Sequence, residues 1–120
     1  MGQLHLINRR HKNFIEQVIE NAKTIWAMKM PTYIEFRDQM LAAGYDEVLE
    51  RPWAPGTVVP THTHPFEADA VVVAGEMWLS VRGAPEQHLL PGDRFHLKPN
   101  EPHEERYGAA GATYWVARRG

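Results

Sequence analysis

The chain contains no cysteine, which removes disulfides and thiolate metal ligands together. Any metal it holds must sit on imidazole, carboxylate, carbonyl or water, and a structural zinc finger is excluded. Serine is nearly missing too. Ser80 is the only one, inside the run Trp78-Leu79-Ser80-Val81. No Gly-x-Ser-x-Gly, Gly-rich phosphate loop or His-Glu-x-x-His is present, so nucleophilic serine chemistry has no support. No apolar run approaches the ~20 residues of a membrane span. Leu4 to Ile7, interrupted by His5, is too short for the core of a signal peptide. An excess of basic charge is also lacking: 13 Lys and Arg stand against 15 Asp and Glu, a net charge of -2. A nucleic-acid surface needs a basic patch. These absences lead to the expectation of a cytoplasmic protein with neither a nucleic-acid nor a membrane partner.

What remains is an ordinary globular composition. The chain has 120 residues, 43% of them hydrophobic and 23% charged, enough for one domain with a real core. Two unlike parts are visible. Residues 1–44 read as helical. Phe14, Ile15, Val18, Ile19, Ala22, Ile25 and Trp26 recur at three- and four-residue spacing, one face of a helix. Such a face is expected to dock on the rest of the chain or on a second subunit. Pro31 interrupts the pattern. A second helix is predicted from about Thr32 to Ala43, stopped by Gly44.

From residue 45 to 120 the signals are those of strands and turns. Glycine and proline become frequent, and short runs of β-branched and aromatic residues lie between them. Strands are predicted at 48–49, 57–59, 70–73, 77–81, 88–90, 94–97 and 112–117. Many short strands with closely spaced turns point to a sandwich or barrel.

Seven histidines are present, and His62-Thr63-His64 is the informative pair. Residues i and i+2 of a strand share a face, and His103, on a later strand, can close on them in a barrel. His5, His11, His88 and His96 read as lying outside such a site.

The setting of these histidines resembles the cupin superfamily. Gly56, His62, His64 and Gly75 fit its first motif, and Pro91-Gly92-Asp93, Pro99 and Pro102-His103 fit its second. The resemblance covers about residues 46–118. It implies a mostly β fold, a small antiparallel β-barrel of the double-stranded β-helix, jelly-roll type, here preceded by two N-terminal helices, and commonly a homodimer. It also implies a divalent transition metal (Fe, Mn, Ni, Cu or Zn) on His62, His64 and His103. The chain departs from the family pattern at the motif's carboxylate. Counting back from Gly75, that position is Ala68, which has no donor atom. Glu67 or Asp69 can replace it only if a bulge shifts the register; Glu67 is the preferred of the two, and a regular register leaves three histidines alone.

Small side chains on the inward side of the motif strand leave room for a ligand. Phe66, Val72, Trp78 and Tyr114 are the expected lining of a small-molecule pocket. The resemblance implies a metal-dependent enzyme, with dioxygenase-like chemistry on a small organic substrate as its leading form. A non-catalytic module that binds or senses a small ligand in the same pocket is the alternative.

Overall fold

The computed structural model describes residues 13–19 and 30–120. Residues 14–19 form a helix, α1. Helix α2 (Tyr33–Ala42) opens on a capping box. The Thr32 hydroxyl accepts from the Glu35 amide at 3.1 Å, and the Glu35 carboxylate accepts from the Thr32 amide at 3.0 Å. Each side chain thus satisfies a backbone donor that the first turn leaves free. The helix ends where Gly44 adopts φ 98° and the Tyr45 amide donates back to the Met40 carbonyl at 3.1 Å.

Six strands follow: β1 (Glu47–Trp53), β2 (Val58–His62), β3 (Glu67–Val81), β4 (Gln87–Leu89), β5 (Arg94–Leu97) and β6 (His103–Arg119). Every pairing is antiparallel. β6 pairs with β1, β2 and β3, and β3 also takes β4 and β5. The two long strands run against each other from Glu67↔Arg119 to Val81↔His103. The expected strands at 70–73 and 77–81 are therefore one strand, carried through Gly75 with register shifts on both sides. In the same way β6 begins at His103, well before the expected 112.

The bend requires glycine at two points. Gly75 has φ +72°, and a Cβ there would lie 2.0 Å from the Gly111 carbonyl oxygen. Gly111 has φ +71°, and its Cβ would lie 2.3 Å from the Trp53 carbonyl oxygen. Three strands meet backbone to backbone at this corner, an approach that any side chain blocks.

Alternation along the strands sorts side chains onto two faces. Ala68, Ala70, Val72, Met77, Leu79 and Phe95 are among those that fill the inner core. On the outer face Val71 and Ala117 pack against Phe36, Met40 and Tyr45 of α2 and the turn after it. Trp115 adds edge-to-face contact with Tyr33 at 5.4 Å between centroids.

Of the apolar face expected to dock on the rest of the chain or on a second subunit, Phe14, Ile15, Val18 and Ile19 are described. Phe14 is 82% exposed and Ile15, Val18 and Ile19 are all exposed as well, so these four do not pack on the barrel. Ala22, Ile25 and Trp26 lie outside the described residues. Among the described residues the helix that covers the sheet is α2. Only four residues separate it from β1, so it folds back directly onto the face that β1, β3 and β6 present.

Two glycine substitutions distinguish the corner from an ordinary turn. Gly75→Ala is expected to cost about 4 kcal/mol or more, because both backbone conformation and space forbid it. Gly83→Ala should cost only about 1–2 kcal/mol, since Gly83 has φ +75° but open space around it. Equilibrium denaturation of both variants tests this; similar losses would show that the close approach at the corner is not what demands glycine.

Candidate metal centre

The register between β2 and β6 carries an irregularity that turns the histidines inward. Val59 pairs with Glu105, yet it is His62, and not Thr61, that pairs with His103. One extra residue is accommodated around Pro60, which has no N–H to give to the ladder. His62 thereby shares a face with His103, and His64, two residues on, joins them.

The three rings converge. Centroids are 4.2 Å apart for His62 and His103, 4.7 Å for His64 and His103, and 5.0 Å for His62 and His64. One nitrogen of each ring lies within 4.8 Å of the other two. Donors sharing one ion with bonds of ~2.1 Å stand no more than ~4.2 Å apart, so an inward shift of less than about an ångström completes the site.

Backbone carbonyls set two of the tautomers. His62 Nδ1 donates to the Pro60 carbonyl at 2.8 Å, and His103 Nδ1 donates to the Glu101 carbonyl at 2.9 Å. A carbonyl only accepts, so Nδ1 carries the proton and Nε2 of each ring keeps a lone pair. His103 is 2% exposed, and among the described residues its Nε2 has no hydrogen-bond partner. A buried acceptor left without a partner is costly unless something else fills it. His64 is held below the usual imidazole range, first by burial and then by the charges of His103, His62, Arg118 and Arg51. That direction favours the neutral ring a metal needs. The donor set suits a divalent transition metal.

His62 and His64 open on a cavity of about 140 Å³, whose wall includes Phe66, Ala68, Glu105 and Tyr114. Glu105 is 5% exposed. One of its oxygens accepts from the Tyr107 hydroxyl at 3.0 Å, and the other stands 3.9 Å from His103 Nε2, beyond hydrogen-bond reach. Burial pushes the Tyr107 and Tyr114 phenols up, and the Glu105 charge adds to the effect. Both hydroxyls thus remain protonated donors beside a carboxylate.

The other expected residues are placed as follows. Ala68 faces the cavity and offers no donor. Glu67 points to the outer face, where Arg119 Nε meets it at 2.7 Å and His96 Nε2 at 2.6 Å. Those two partners, Arg119 first, draw its carboxyl down to about 2. Asp69 pairs with Arg94 at 3.2 Å. Among the described residues the only cluster with metal-ligand spacing is the three histidines. The irregular register lies before His62, not between His64 and Glu67, so neither acidic side chain is turned inward.

Of the expected pocket lining, Phe66 and Tyr114 stand on the wall, with Phe66 stacked on His64 at 4.7 Å. Val72 is wholly buried in the core. Trp78 is on the outer face, stacked on His88 at 4.6 Å, with the Arg106 guanidinium 3.9 Å from its ring centroid. The register shifts around Gly75 explain this: even-numbered residues face inward before the bend and odd-numbered ones after it. Arg51 and Arg118 also line the cavity and were not anticipated. Their signal is strand alternation, Leu49-Arg51-Trp53 on β1 and Tyr114-Val116-Arg118 on β6, but a charged residue in a strand ordinarily reads as solvent-facing.

No family model matches the sequence, and no curated protein matches it. Solved structures do. A chain from the crystal structures of the DMSP lyases RdDddP and RnDddQII is 30% identical, over 61% of this chain and 37% of its own, with TM-score 0.57. The DMSP lyase DddQ from Ruegeria pomeroyi DSS-3 is 32% identical, over 61% and 36%, with TM-score 0.53. An RmlC-like cupin from Shewanella frigidimarina NCIMB 400 is 22% identical, over 61% and 65%, with TM-score 0.54. The chain thus spans little more than a third of the length of the two lyases.

Two measurements check the centre. Cobalt(II) or zinc(II) affinity should fall more than tenfold per pH unit below pH ~6.5, because several imidazoles must be neutral at once. Binding that stays flat down to pH ~4.5 would exclude histidine ligation. Glu67→Gln should leave metal affinity unchanged and lower stability instead. The native carboxyl sits at about 2 against an ordinary 4.5, so its contribution is full above 4.5 and is lost as pH falls toward 2. The stability gap between wild type and variant should close over that window. A variant that folds but loses metal would return Glu67 to the ligand set.

Proposed function

The chain is a cupin by fold, and from that premise we propose that it is a metal-dependent enzyme acting on a small organic molecule by lyase-type chemistry. One observation carries the proposal. His62, His64 and His103 aim at one point, and a buried carboxylate stands beside it on the wall of a cavity. His62, His64 and His103 would hold a divalent transition metal. When bound, that ion supplies Lewis acidity toward an oxygen of the substrate.

The chain's own residues divide the remaining work. Glu105 is placed to accept a proton from a substrate carbon while the bond at the neighbouring carbon breaks and its leaving group departs with the electron pair. The Tyr107 hydroxyl orients Glu105. Tyr114, protonated and on the cavity wall, is a donor for a developing negative charge or for the leaving group. Phe66, packed on His64, keeps the ring in place and excludes water on that side. The two DMSP lyases at 30% and 32% identity support a lyase reading over an oxygen-dependent one.

Dioxygenase-like chemistry is the second reading. Three neutral imidazole donors without a carboxylate leave open positions on the ion, and Ala68 in the carboxylate position favours that donor set. Assignment of the site to a barrel domain of residues 45–120, with residues 1–44 as an N-terminal helical segment, belongs to the same proposal, as does the homodimer.

The experiment is turnover of DMSP and a panel of small organic compounds by the metal-loaded protein, with and without oxygen. The expected result is product formation that is independent of oxygen and abolished by chelation. Glu105→Gln should lower kcat about 10²-fold or more while retaining the metal. Turnover that requires and consumes oxygen would replace the lyase reading with the second one. Glu105→Gln with undiminished kcat would remove Glu105 from the proton transfer.

A further inference from the structure

The cavity has a second polar element besides the histidines. Arg51 and Arg118 both lie on its wall together with His62 and His64, so the two arginines share one cavity with the metal point. They are not equivalent. Arg118 is tied up: its Nε donates to Glu47 at 2.9 Å, and its guanidinium lies 4.8 Å from the Phe66 ring centroid. Arg51 rests over Trp53 at 5.3 Å, and among the described residues no carboxylate lies within ion-pair distance of it.

The strand register explains why it points there. Arg51 pairs with Tyr114 across β1 and β6, and Leu49 and Trp53, its neighbours of the same parity, pack against the inner core. Arg51 is solvent-exposed where it lines the cavity, and without a carboxylate beside it its guanidinium has five donors free for a planar acceptor. Among the described residues Glu105 is the one carboxylate on the wall. Arg51 balances it, Glu47 balances Arg118, and a divalent ion on the histidines leaves the loaded cavity positive. A cavity of one sign with low-dielectric walls concentrates ligands of the opposite sign. The rest of the wall, with Phe95, Leu97 and Val116, is aliphatic or aromatic. The volume of about 140 Å³ is below the ~300 Å³ at which drug-sized pockets begin.

We infer that the cavity selects a compact aliphatic molecule bearing a carboxylate, with Arg51 holding that carboxylate while the remainder of the molecule reaches the histidine cluster. This deepens the metal-enzyme proposal and rests on it for the second anchor point. Arg51 supplies a planar, charge-assisted pair of N–H donors. Arg118 adds field but stays bound to Glu47.

The test uses full-length protein loaded with cobalt(II), titrated with malonate, succinate and glutarate and with the monoamide of each, and read by calorimetry and the visible cobalt spectrum. Every probe keeps one carboxylate for the metal, so the difference within a pair reports the far end. The best-fitting dicarboxylate should bind about tenfold to a hundredfold tighter than its monoamide. Arg51→Met should erase that preference without weakening cobalt binding, and Arg51→Lys should keep part of it. Equal affinity for acid and monoamide in the wild type, or a preference that survives Arg51→Met, overturns the inference. If cobalt does not bind the wild type, the metal proposal falls on its own. The same titrations on metal-free protein then decide the carboxylate site: a preference removed by Arg51→Met upholds it, and no preference overturns it.

Discussion

The ladder between β3 and β6 is the constraint on which the rest of this protein depends. It runs from Glu67↔Arg119 to Val81↔His103, and every other strand attaches to one of its two members. A regular ladder of that length would be a ribbon with nothing to enclose. It encloses a core because its middle is bent where Gly75 and Gly111 lie against each other and against β1. The bend also exchanges which residues face inward. Core, cavity wall and outer face therefore all follow from one backbone contact.

The candidate site concentrates polar groups that a core of this size ordinarily excludes. His103 and Glu105 are both almost wholly buried, and they extend from the same strand. Tyr107 satisfies one oxygen of Glu105, and the Glu101 carbonyl satisfies one nitrogen of His103. The other nitrogen of His103 has no partner among the described residues. A cation at the histidine cluster would resolve that cost and sit opposite the buried carboxylate. The outer face handles its charges by pairing them: Glu67 with Arg119 and His96, Asp69 with Arg94, Glu86 with Arg106. Pairing is what distinguishes those groups from Arg51.

Much of this was legible from residue order. The capping box and Gly44 delimit α2 close to the expected bounds, because caps act locally. His62 and His64 share a face because the side-chain period of a strand is two. The inward position of Ala68 followed from the same parity. Trp78 stands on the outer face instead of the expected pocket wall, because register shifts at the corner reverse the parity that holds before Gly75. The apolar face of Phe14 and its neighbours is exposed in the single chain, and its docking on a second subunit belongs to the homodimer proposal. Periodicity marks an apolar face but not which of two candidate helices covers the sheet, and α2 holds that position through Phe36 and Met40.

The sequence by itself determined the elements whose causes lie within a few residues: the α2 caps, the strand-and-turn character after residue 45, the same-face pair His62 and His64, and the lack of thiolate chemistry. Tertiary structure alone decided what depends on partners far along the chain. The pairing of His62 with His103 rests on one extra residue around Pro60, which slides one strand against another. The diversion of Glu67 outward rests on Arg119 and His96, 52 and 29 residues away. The assembly of Arg51, Glu105 and Tyr114 on one cavity wall rests on the register of β1, β2 and β3 against β6. Local chemistry sets which way a side chain alternates, whereas the register between distant strands sets what it meets, and a slip of one residue reverses every face.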